Sequence, residues 1–232
     1  MAFSEAVFQG SQTVEGMTCR LARDPEEARR LLAEEGLAML IDPEGARVAD
    51  FRPRALVDAI LAKRNMGTRR DMAPVTVGLG PGFTAGVDVD AVIETNRGHR
   101  LGRVILEGSA EPDTGVPGFI RGYGRERVMH APATGVLRCL RDIGDIVAKG
   151  EPIAQIWTAE GTAVPVPASL DGLLRGIIRD GSPVREGLKI ADIDPRTEER
   201  ENCDTISDKA RCIAGGVLEA ILVLEQRQDR RI

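Results

Sequence analysis

Between Val75 and His99 the chain reads VTVGLGPGFTAGVDVDAVIETNRGH, with glycine at 78, 80, 82 and 86. Glycine has no Cβ, so it enters left-handed conformations and lets a ligand come close to the main chain. A loop this rich in it can aim several N–H groups at one point, which makes an anion site without any lysine. Gly80, Gly82 and Gly86 are the backbone candidates, Thr84 adds a hydroxyl, and Asn96, Arg97 and His99 bring amide and cationic groups to the same rim. Phosphate, or a small molecule that carries one, is the expected guest. The same residues also read as a long turn whose glycines serve backbone geometry alone.

A second anion contact is expected where Lys63, Arg64, Asn65, Gly67 and Thr68 follow ALVDAIL at Ala55 to Leu61. Two cations, an amide, a glycine and a hydroxyl stand together there at the end of an element; the alternative is a solvated basic turn. Cys203 is the candidate nucleophile, because it precedes a helical stretch and Lys209, and helix N-termini and cations lower a thiol pKa from about 8.5. Its other reading is a small, partly buried side chain without chemistry.

The elements that must position these groups follow from periodicity and punctuation. Val75 to Leu79 and Ala91 to Thr95 are β-type runs flanking the glycine loop. This is not the dinucleotide fingerprint, which needs a helix directly after its glycines, and the few residues after Gly86 leave no room for one. Short β-like runs are expected at Phe3 to Gly10 and Thr13 to Leu21. Asp24-Pro25 with Glu26 and Glu27 starts a helix that Gly36 stops. Leu37 to Ile41 and Leu101 to Leu106 read as strands, Ala55 to Leu61 as strand or short helix, and Glu107 to Arg127, rich in glycine and proline, as a linker. Ser207 or Asp208 caps a last helix with apolar Ile213, Val217, Leu218, Ile221 and Leu224; Gly215-Gly216 inside it points to close approach of a backbone or ligand. The charged tail from Gln226 to Ile232 is expected to fray.

The chain has 232 residues, a net charge of -5 and 3% aromatic residues. Its arginines are interspersed with acids, so it lacks the basic face and stacking platforms that a nucleic-acid partner needs. No apolar run approaches the roughly 18 residues of a membrane span, and a cytoplasmic location is expected. Cys19, Cys139, Cys203 and Cys212 are scattered and the histidines are only His99 and His130, which argues against a structural metal site and for reduced thiols.

Gly135 to Ile156 and Gly172 to Ile193 form an internal repeat offset by 37 residues, matching at Gly-x-Leu-Arg, Gly144 and Gly181, Val147 and Val184, Gly150 and Gly187, Ile153 and Ile190, Ala154 and Ala191, and Ile156 and Ile193. Pro132-Ala133 and Pro167-Ala168 precede the two units. Each unit reads as short strands with tight turns, and two interlocked units make a small barrel or sandwich, since neither alone can bury its apolar face. From Met129 to Pro195 the sequence resembles the biotinyl/lipoyl-like barrel-sandwich hybrid. Carriers of that family hold a lysine on the hairpin between the halves; Trp157 to Asp171 has none, and Lys149 and Lys189 fall in turns within the halves. The resemblance therefore implies a binding or docking module without lipoate or biotin. The expected fold is an α/β domain with a mixed sheet over residues 1–127, the all-β module over 128–196, and a C-terminal helical segment over 197–232 that packs back on the first domain.

Five strings carry a wider resemblance: Phe3-Ser-Glu-Ala, Leu56-Val-Asp-Ala-Ile-Leu-Ala-Lys-Arg-Asn, Gly78-Leu-Gly-Pro-Gly-Phe-Thr-Ala-Gly, Val92-Ile-Glu-Thr-Asn-Arg-Gly-His and Thr205-Ile-Ser-Asp-Lys-Ala. Through them the chain is similar, from Met1 to about Leu224, to the YqeB-type accessory proteins of selenium-dependent molybdenum hydroxylase systems. The resemblance implies a role in hydroxylase maturation, with the apo-hydroxylase as partner and molybdopterin or a nucleotide as non-covalently bound ligand. Lys63, Asn65, Thr68 and Arg97 would then add polar contacts, and Asp88, Asp90 and Glu94 would orient pterin or water. Cys203 would be the attacking thiolate if the protein transfers selenium or sulfur itself, and the glycine loop would be a mere turn if the protein is a scaffold. The resemblance implies a strand, a glycine-rich turn and a helix ahead of the point where this sequence starts, and without them an unpaired sheet edge that invites self-association is expected.

Overall fold

The computed structural model describes residues 2–229, with side chains described as far as Arg227. It divides into two compact units, one made of the chain up to Thr114 together with the chain from Thr205 onward, the other of Gly115–Asp204.

The first unit opens as helix. Phe3–Glu5 is a 3-10 turn that runs into α1 (Ala6–Gln9), where the apolar pattern predicts a strand. Gly10, at φ 80, supplies the left-handed residue that ends a helix, and that signal outweighs the short apolar run. β1 (Ser11–Val14) and β2 (Met17–Ala22) form a hairpin, and β3 (Ala38–Leu40) joins β2 in parallel across α2 (Pro25–Glu35). The Asp24 side chain accepts the Glu27 N–H and Gly36 closes α2 at φ 79, as the sequence dictates. Ala28 and Leu31 of α2 bury themselves with Ala22, and Phe51 of α3 (Val48–Phe51) packs there too.

β4 (Ala55–Asp58), β5 (Val75–Leu79), β6 (Ala91–Ile93) and β7 (Val104–Ile105) form a second sheet in that order. β4, β5 and β6 are parallel and β7 is antiparallel to β6. Ala55 to Leu61 is thus a strand in its first half, and the expected strand at Leu101 to Leu106 shrinks to β7. Val75, Val77 and Leu79 of β5 and Ala91 and Ile93 of β6 meet Ile213 and Ala220 of α4 (Asp208–Asp229) on one face. On the other face Val92 meets Phe83, Ala85 and Val89 of the glycine loop itself. A parallel pair usually needs a helical crossover; here the loop makes the crossing and covers the face that a helix would cover. Gly78 permits it, because a Cβ there would lie 2.6 Å from the Phe83 ring.

α4 is capped by Ser207, whose hydroxyl accepts the Ala210 N–H at 3.2 Å. The helix continues through Asp229, past the expected fraying point, and 230–232 lie outside the described residues. Its glycines divide in role. A Cβ on Gly216 would stand 2.1 Å from the Gly102 carbonyl oxygen, and one on Gly102 would stand 2.7 Å from the Cys212 carbonyl oxygen and Sγ. Gly215 has open space. Gly102, at φ 78, also interrupts the run from Leu101, which explains the short β7. Among the described residues no helix is long and apolar enough to cross a membrane.

The second unit consists of two four-stranded antiparallel sheets, with no closed barrel. β8 (Val128–His130), β9 (Gly135–Cys139), β10 (Ile146–Val147), β11 (Pro152–Trp157), β12 (Ala163–Pro167), β13 (Gly172–Ile177), β14 (Pro183–Val184) and β15 (Lys189–Asp194) assemble as β10-β13-β15-β8 and β12-β11-β9-β14. The short middle strand of each repeat, β10 or β14, pairs with the opening strand of the other, so the halves interlock. Backbone bonds repeat with the sequence offset: Gly144 N–H to Leu174 and Gly181 N–H to Leu137, Leu174 N–H to Asp145 and Leu137 N–H to Ser182, Gly150 N–H to Ala168 and Gly187 N–H to Ala131. Ala131, not Ala133, is therefore the counterpart of Ala168, and the two Pro-Ala pairs are not equivalent. Lys189 opens β15, and the hairpin at Thr158 to Thr162 has no lysine. The repeated apolar positions are the core. Thr197–Asp204 is a 3-10 segment of this unit.

Some glycines make room for neighbouring backbone and others stand in open space. Gly216→Ala should lower stability by about 1–3 kcal/mol through overpacking, while Gly215→Ala should raise it by about 1 kcal/mol through helix propensity; urea unfolding of both variants reads the opposite signs. In the repeat, a Cβ at Gly135 would lie 2.2 Å from the Trp157 oxygen and one at Gly172 2.5 Å from the Asp194 oxygen, whereas Gly176 has open space. Gly135→Ala and Gly172→Ala should each lower the Tm and Gly176→Ala should not, as differential scanning calorimetry would record.

Candidate functional site

The carboxyl ends of β4, β5 and β6 lie side by side, which is where open parallel sheets place their ligands. Asp58 ends β4 and is buried; its carboxylate accepts the Thr68 hydroxyl at 2.6 Å and the Ile60 N–H at 3.0 Å. Asn65 accepts the N–H groups of Gly67 and Thr68 and donates to the Thr68 carbonyl, each at 2.8 Å. Asn65 and Thr68, expected as ligand contacts, are instead the struts of the loop after β4. That loop holds Leu61 at φ 58 and Lys63 at φ 63. Left-handed backbone costs a residue with a Cβ about 1–2 kcal/mol, so the struts maintain a conformation the chain would not adopt alone.

The glycine loop is likewise engaged with itself. Gly80 N–H donates to Ile93, Ala85 N–H to Gly108, Gly86 N–H to Val89 and Thr84 N–H to the Asp88 carboxylate, over 2.7–2.9 Å. The Thr84 hydroxyl pairs with Ser109 at 3.1 Å, and Asp90 is held by Thr76 and Arg70. The expectation that Gly80, Thr84 and Gly86 donate to an anion, with Asp88 and Asp90 orienting a ligand, is corrected by these bonds: an N–H already aimed at an internal oxygen is not aimed outward. Of the loop's amides, those of Gly82 and Phe83 keep no partner among the described residues. Gly82 still lies on this edge, because a Cβ there would come within 2.6 Å of the Arg64 main chain.

Beyond β6, Glu94 is 2% exposed. One carboxylate oxygen accepts the Asn96 N–H at 2.7 Å and the other the Glu111 N–H at 2.8 Å, while the Asn96 side chain donates to Glu111 at 2.7 Å. Glu94 and Asn96 thus clamp the segment at Glu111 onto the end of β6, a positioning role in place of the expected ligand contact. Arg97 makes a two-pronged pair with Asp208 at 2.7 and 2.8 Å, which ties the strand exit to the first turn of α4.

The next residue of α4 is the group that sequence reasoning left in a minor role. Lys209 is half-buried and has no hydrogen bond or ion pair among the described residues. Its pKa is held below 10.5, first by burial and then by the charges of Arg97 and Lys63, against the opposite pull of Asp208 and Glu94. Arg97 and Lys63 are thus near enough for their charges to act on Lys209. The sequence could have offered Lys209 through its place in the first turn of the last helix, but the pairing of that turn with Arg97 is a long-range fact.

A cavity of about 350 Å³ lies on the β7 side of Glu94, lined by charged Arg100, Arg103, Glu107 and Glu111 and by apolar Val104 to Leu106. Cys203 stands elsewhere, in the second unit. It is 6% exposed and its thiol pKa is pushed up, chiefly by burial. An attacking thiolate needs the opposite shift, so the activated Cys203 is not what the fold builds. His99 is exposed. Among the described residues no three His, Cys, Asp or Glu side chains gather as metal ligands.

No family model matches the chain. It is 50% identical over 224 residues, 97% of its length, to "Uncharacterized protein YqeB" of Escherichia coli K12, and it spans 40% of that protein. The unmatched part of that relative is far larger than one strand, turn and helix. Among solved structures, the ectoine utilization protein EutE (DoeB) of Ruegeria pomeroyi in its product-bound form is 21% identical over 38% of this chain and 27% of its own, at a TM-score of 0.29. A succinylglutamate desuccinylase/aspartoacylase of Rhodobacter sphaeroides is 20% identical over 38% and 29%, at 0.28.

A lysine with a lowered pKa binds fewer protons folded than unfolded between that value and 10.5, so its contribution to stability improves as pH rises through this window. Lys209→Met should accordingly stabilise the protein near neutral pH, and the gain should vanish once the unfolded-state lysine is neutral. Urea unfolding of both proteins across pH 7 to about 11 would show it.

Proposed function

Because the chain belongs, over the length it spans, to the YqeB-type family, we propose that it acts as an accessory factor in maturation of a selenium-dependent molybdenum hydroxylase. It holds the phosphate of the molybdopterin-type cofactor, its cargo, at the carboxyl edge of β4 to β6. The observation that supports this most directly is that the charges of Lys63 and Arg97 both act on half-buried Lys209, beside the Arg97–Asp208 pair. A half-buried lysine whose pKa is lowered by two other cations is an arrangement that a bound anion would relieve.

The residues divide the work. Lys209 and Lys63 attract and neutralise phosphate, and the N–H groups of Gly82 and Phe83 are the loop donors still available to it. Arg97, whose two terminal nitrogens are both paired with Asp208, contributes positive charge to the rim and not a free fork. Asn65, Thr68, Asp58 and Glu94 hold the backbone that carries these groups. The cofactor's metal chemistry belongs to the client enzyme once the cargo is delivered; what this protein contributes is retention and release.

The second unit, in the finer reading a biotinyl/lipoyl-like barrel-sandwich hybrid, serves as the docking module for the apo-hydroxylase. Trp157, 47% exposed on β11, and Val136, opposite it on β9, give that surface an apolar centre. Aromatic anchors of this kind carry much of the energy of protein interfaces.

Isothermal titration with pyrophosphate tests the anion site. Binding raises the Lys209 pKa, so protons should be taken up on the alkaline side and affinity should fall as pH rises through the lowered pKa. Lys209→Met and Lys63→Met should each weaken binding roughly ten-fold, the scale of one charged hydrogen bond of about 1.5–3 kcal/mol. Absence of heat, or wild-type affinity in both variants, would remove the proposal.

A further inference from the structure

Two charged groups that line the cavity beside Glu94 have no role in holding the fold. The side chains of Arg103 and Glu107 form no hydrogen bond or ion pair among the described residues, although Arg100 reaches Glu111 at 3.5 Å and Glu111 also takes the Asn96 amide. They stand four residues apart on the segment that passes through β7, with apolar Val104, Ile105 and Leu106 between them. The same segment is pinned at both ends: the Arg103 carbonyl accepts the Glu94 N–H at 3.0 Å, and the Glu94 carboxylate accepts the Glu111 N–H. The cavity is thus a held shape carrying one unengaged guanidinium and one unengaged carboxylate, with Ile105 between them on the same face.

That combination has a specific complement. An arginine fork donates to two adjacent acceptors, as it does to O6 and N7 of guanine. A carboxylate accepts from two adjacent N–H donors, and the charge on it strengthens both bonds. A 2-amino-4-oxopyrimidine ring fused to a second ring, as in guanine or a pterin, offers this edge: a carbonyl and a ring nitrogen as neighbouring acceptors, then a ring N–H and an amino group as neighbouring donors. Adenine presents an amino donor where guanine has its carbonyl, and hypoxanthine lacks the amino group altogether. The volume of about 350 Å³ accommodates one such bicyclic ring.

We propose that this cavity reads the 2-amino-4-oxopyrimidine edge of a guanine- or pterin-type ring, Glu107 taking the donors and Arg103 the acceptors, with Ile105, on the same face of the segment, against the ring. The inference deepens the reading of the neighbouring cation cluster as a phosphate site and rests on it for the placement of the ligand's anionic end. The order along the edge of the sheet is then phosphate at Lys63, Arg97 and Lys209, the clamp at Glu94, and the ring beyond.

Guanosine and inosine monophosphates differ only in the 2-amino group and carry the same phosphate, so their comparison isolates the ring contact. By isothermal titration guanosine monophosphate should bind at least about ten-fold more tightly than inosine monophosphate or adenosine monophosphate, since a site built to accept an N–H rejects the analogue that lacks it. Glu107→Gln should abolish that preference and Arg103→Ala should weaken guanosine monophosphate, both leaving pyrophosphate affinity unchanged. Both side chains are exposed and unpartnered among the described residues, and circular dichroism would verify that the variants fold. Equal binding of the three nucleotides, or a preference that survives Glu107→Gln, overturns the ring reading even where pyrophosphate binds. A guanine preference without pyrophosphate binding keeps the ring cavity and removes the phosphate rim; failure of every ligand removes both.

Discussion

The arrangement of the first unit depends on how closely α4 approaches the segment that follows β6. Helices normally stand off their neighbours by the length of their side chains, at axis separations of about 8–10 Å. Here the Gly102 carbonyl lies where a Cβ on Gly216 would be, and Gly102 in turn leaves room for Cys212. The Cys212 thiol donates to the Leu101 carbonyl at 3.2 Å, so one turn of helix and one turn of loop are locked through their backbones. From that contact the rest follows geometrically. Ile213 and Ala220 come down on β5 and β6, the first turn of α4 reaches the end of β6, and Arg97 meets Asp208. A second tie fixes the same end: Glu15, in the turn of the first hairpin, accepts the Ile206 N–H at 2.9 Å and pairs with Arg211.

The glycine loop shows why a correct local reading can point to the wrong role. The sequence states that the loop between β5 and β6 must be conformationally free and has no room for a helix, and both are so. What it does not state is which surface the loop must cover. Because β5 and β6 are parallel, the chain has to travel back along the sheet, and that journey lays Phe83, Ala85 and Val89 on Val92. Once the loop is a packed layer, its amides seek internal partners, as buried backbone groups do. An anion loop and a crossover loop need the same composition; only the register of β6 against β5 separates them.

The legibility of the second unit has a different source. There the sequence repeats itself, and the repeated residues are the ones under the tightest physical constraint. Gly144, Gly150, Gly181 and Gly187 all take positive φ, Gly135 and Gly172 abut the closing carbonyl of their own half, and the matched apolar residues fill one core. Repetition exposes constraint without any long-range information. In the first unit the partners are far apart and unlike: Glu94 with Glu111, Arg97 with Asp208, Lys209 with Lys63. The helix at α2 is legible because its cap and stop are local, whereas the apolar run from Phe3 to Gly10 folds as helix and not strand because one glycine at φ 80 decides between two short patterns.

The cation cluster is a point at which the fold carries a local cost. Burial and like charge lower the pKa of Lys209, which means the folded protein holds that proton less firmly than an unfolded chain would. The loop that brings Lys63 to the cluster adds backbone strain at Leu61 and Lys63. Neither feature helps the fold, and each is maintained by neighbours that are themselves fully hydrogen-bonded, Asn65 and Thr68 on one side and Glu94 on the other. Such local costs, supported by an otherwise consistent surround, are what preorganised sites look like before their ligand arrives. An anion between Lys63, Arg97 and Lys209 would restore the Lys209 pKa and turn the repulsion into attraction, so that ligand binding and folding stability become coupled through the same three charges.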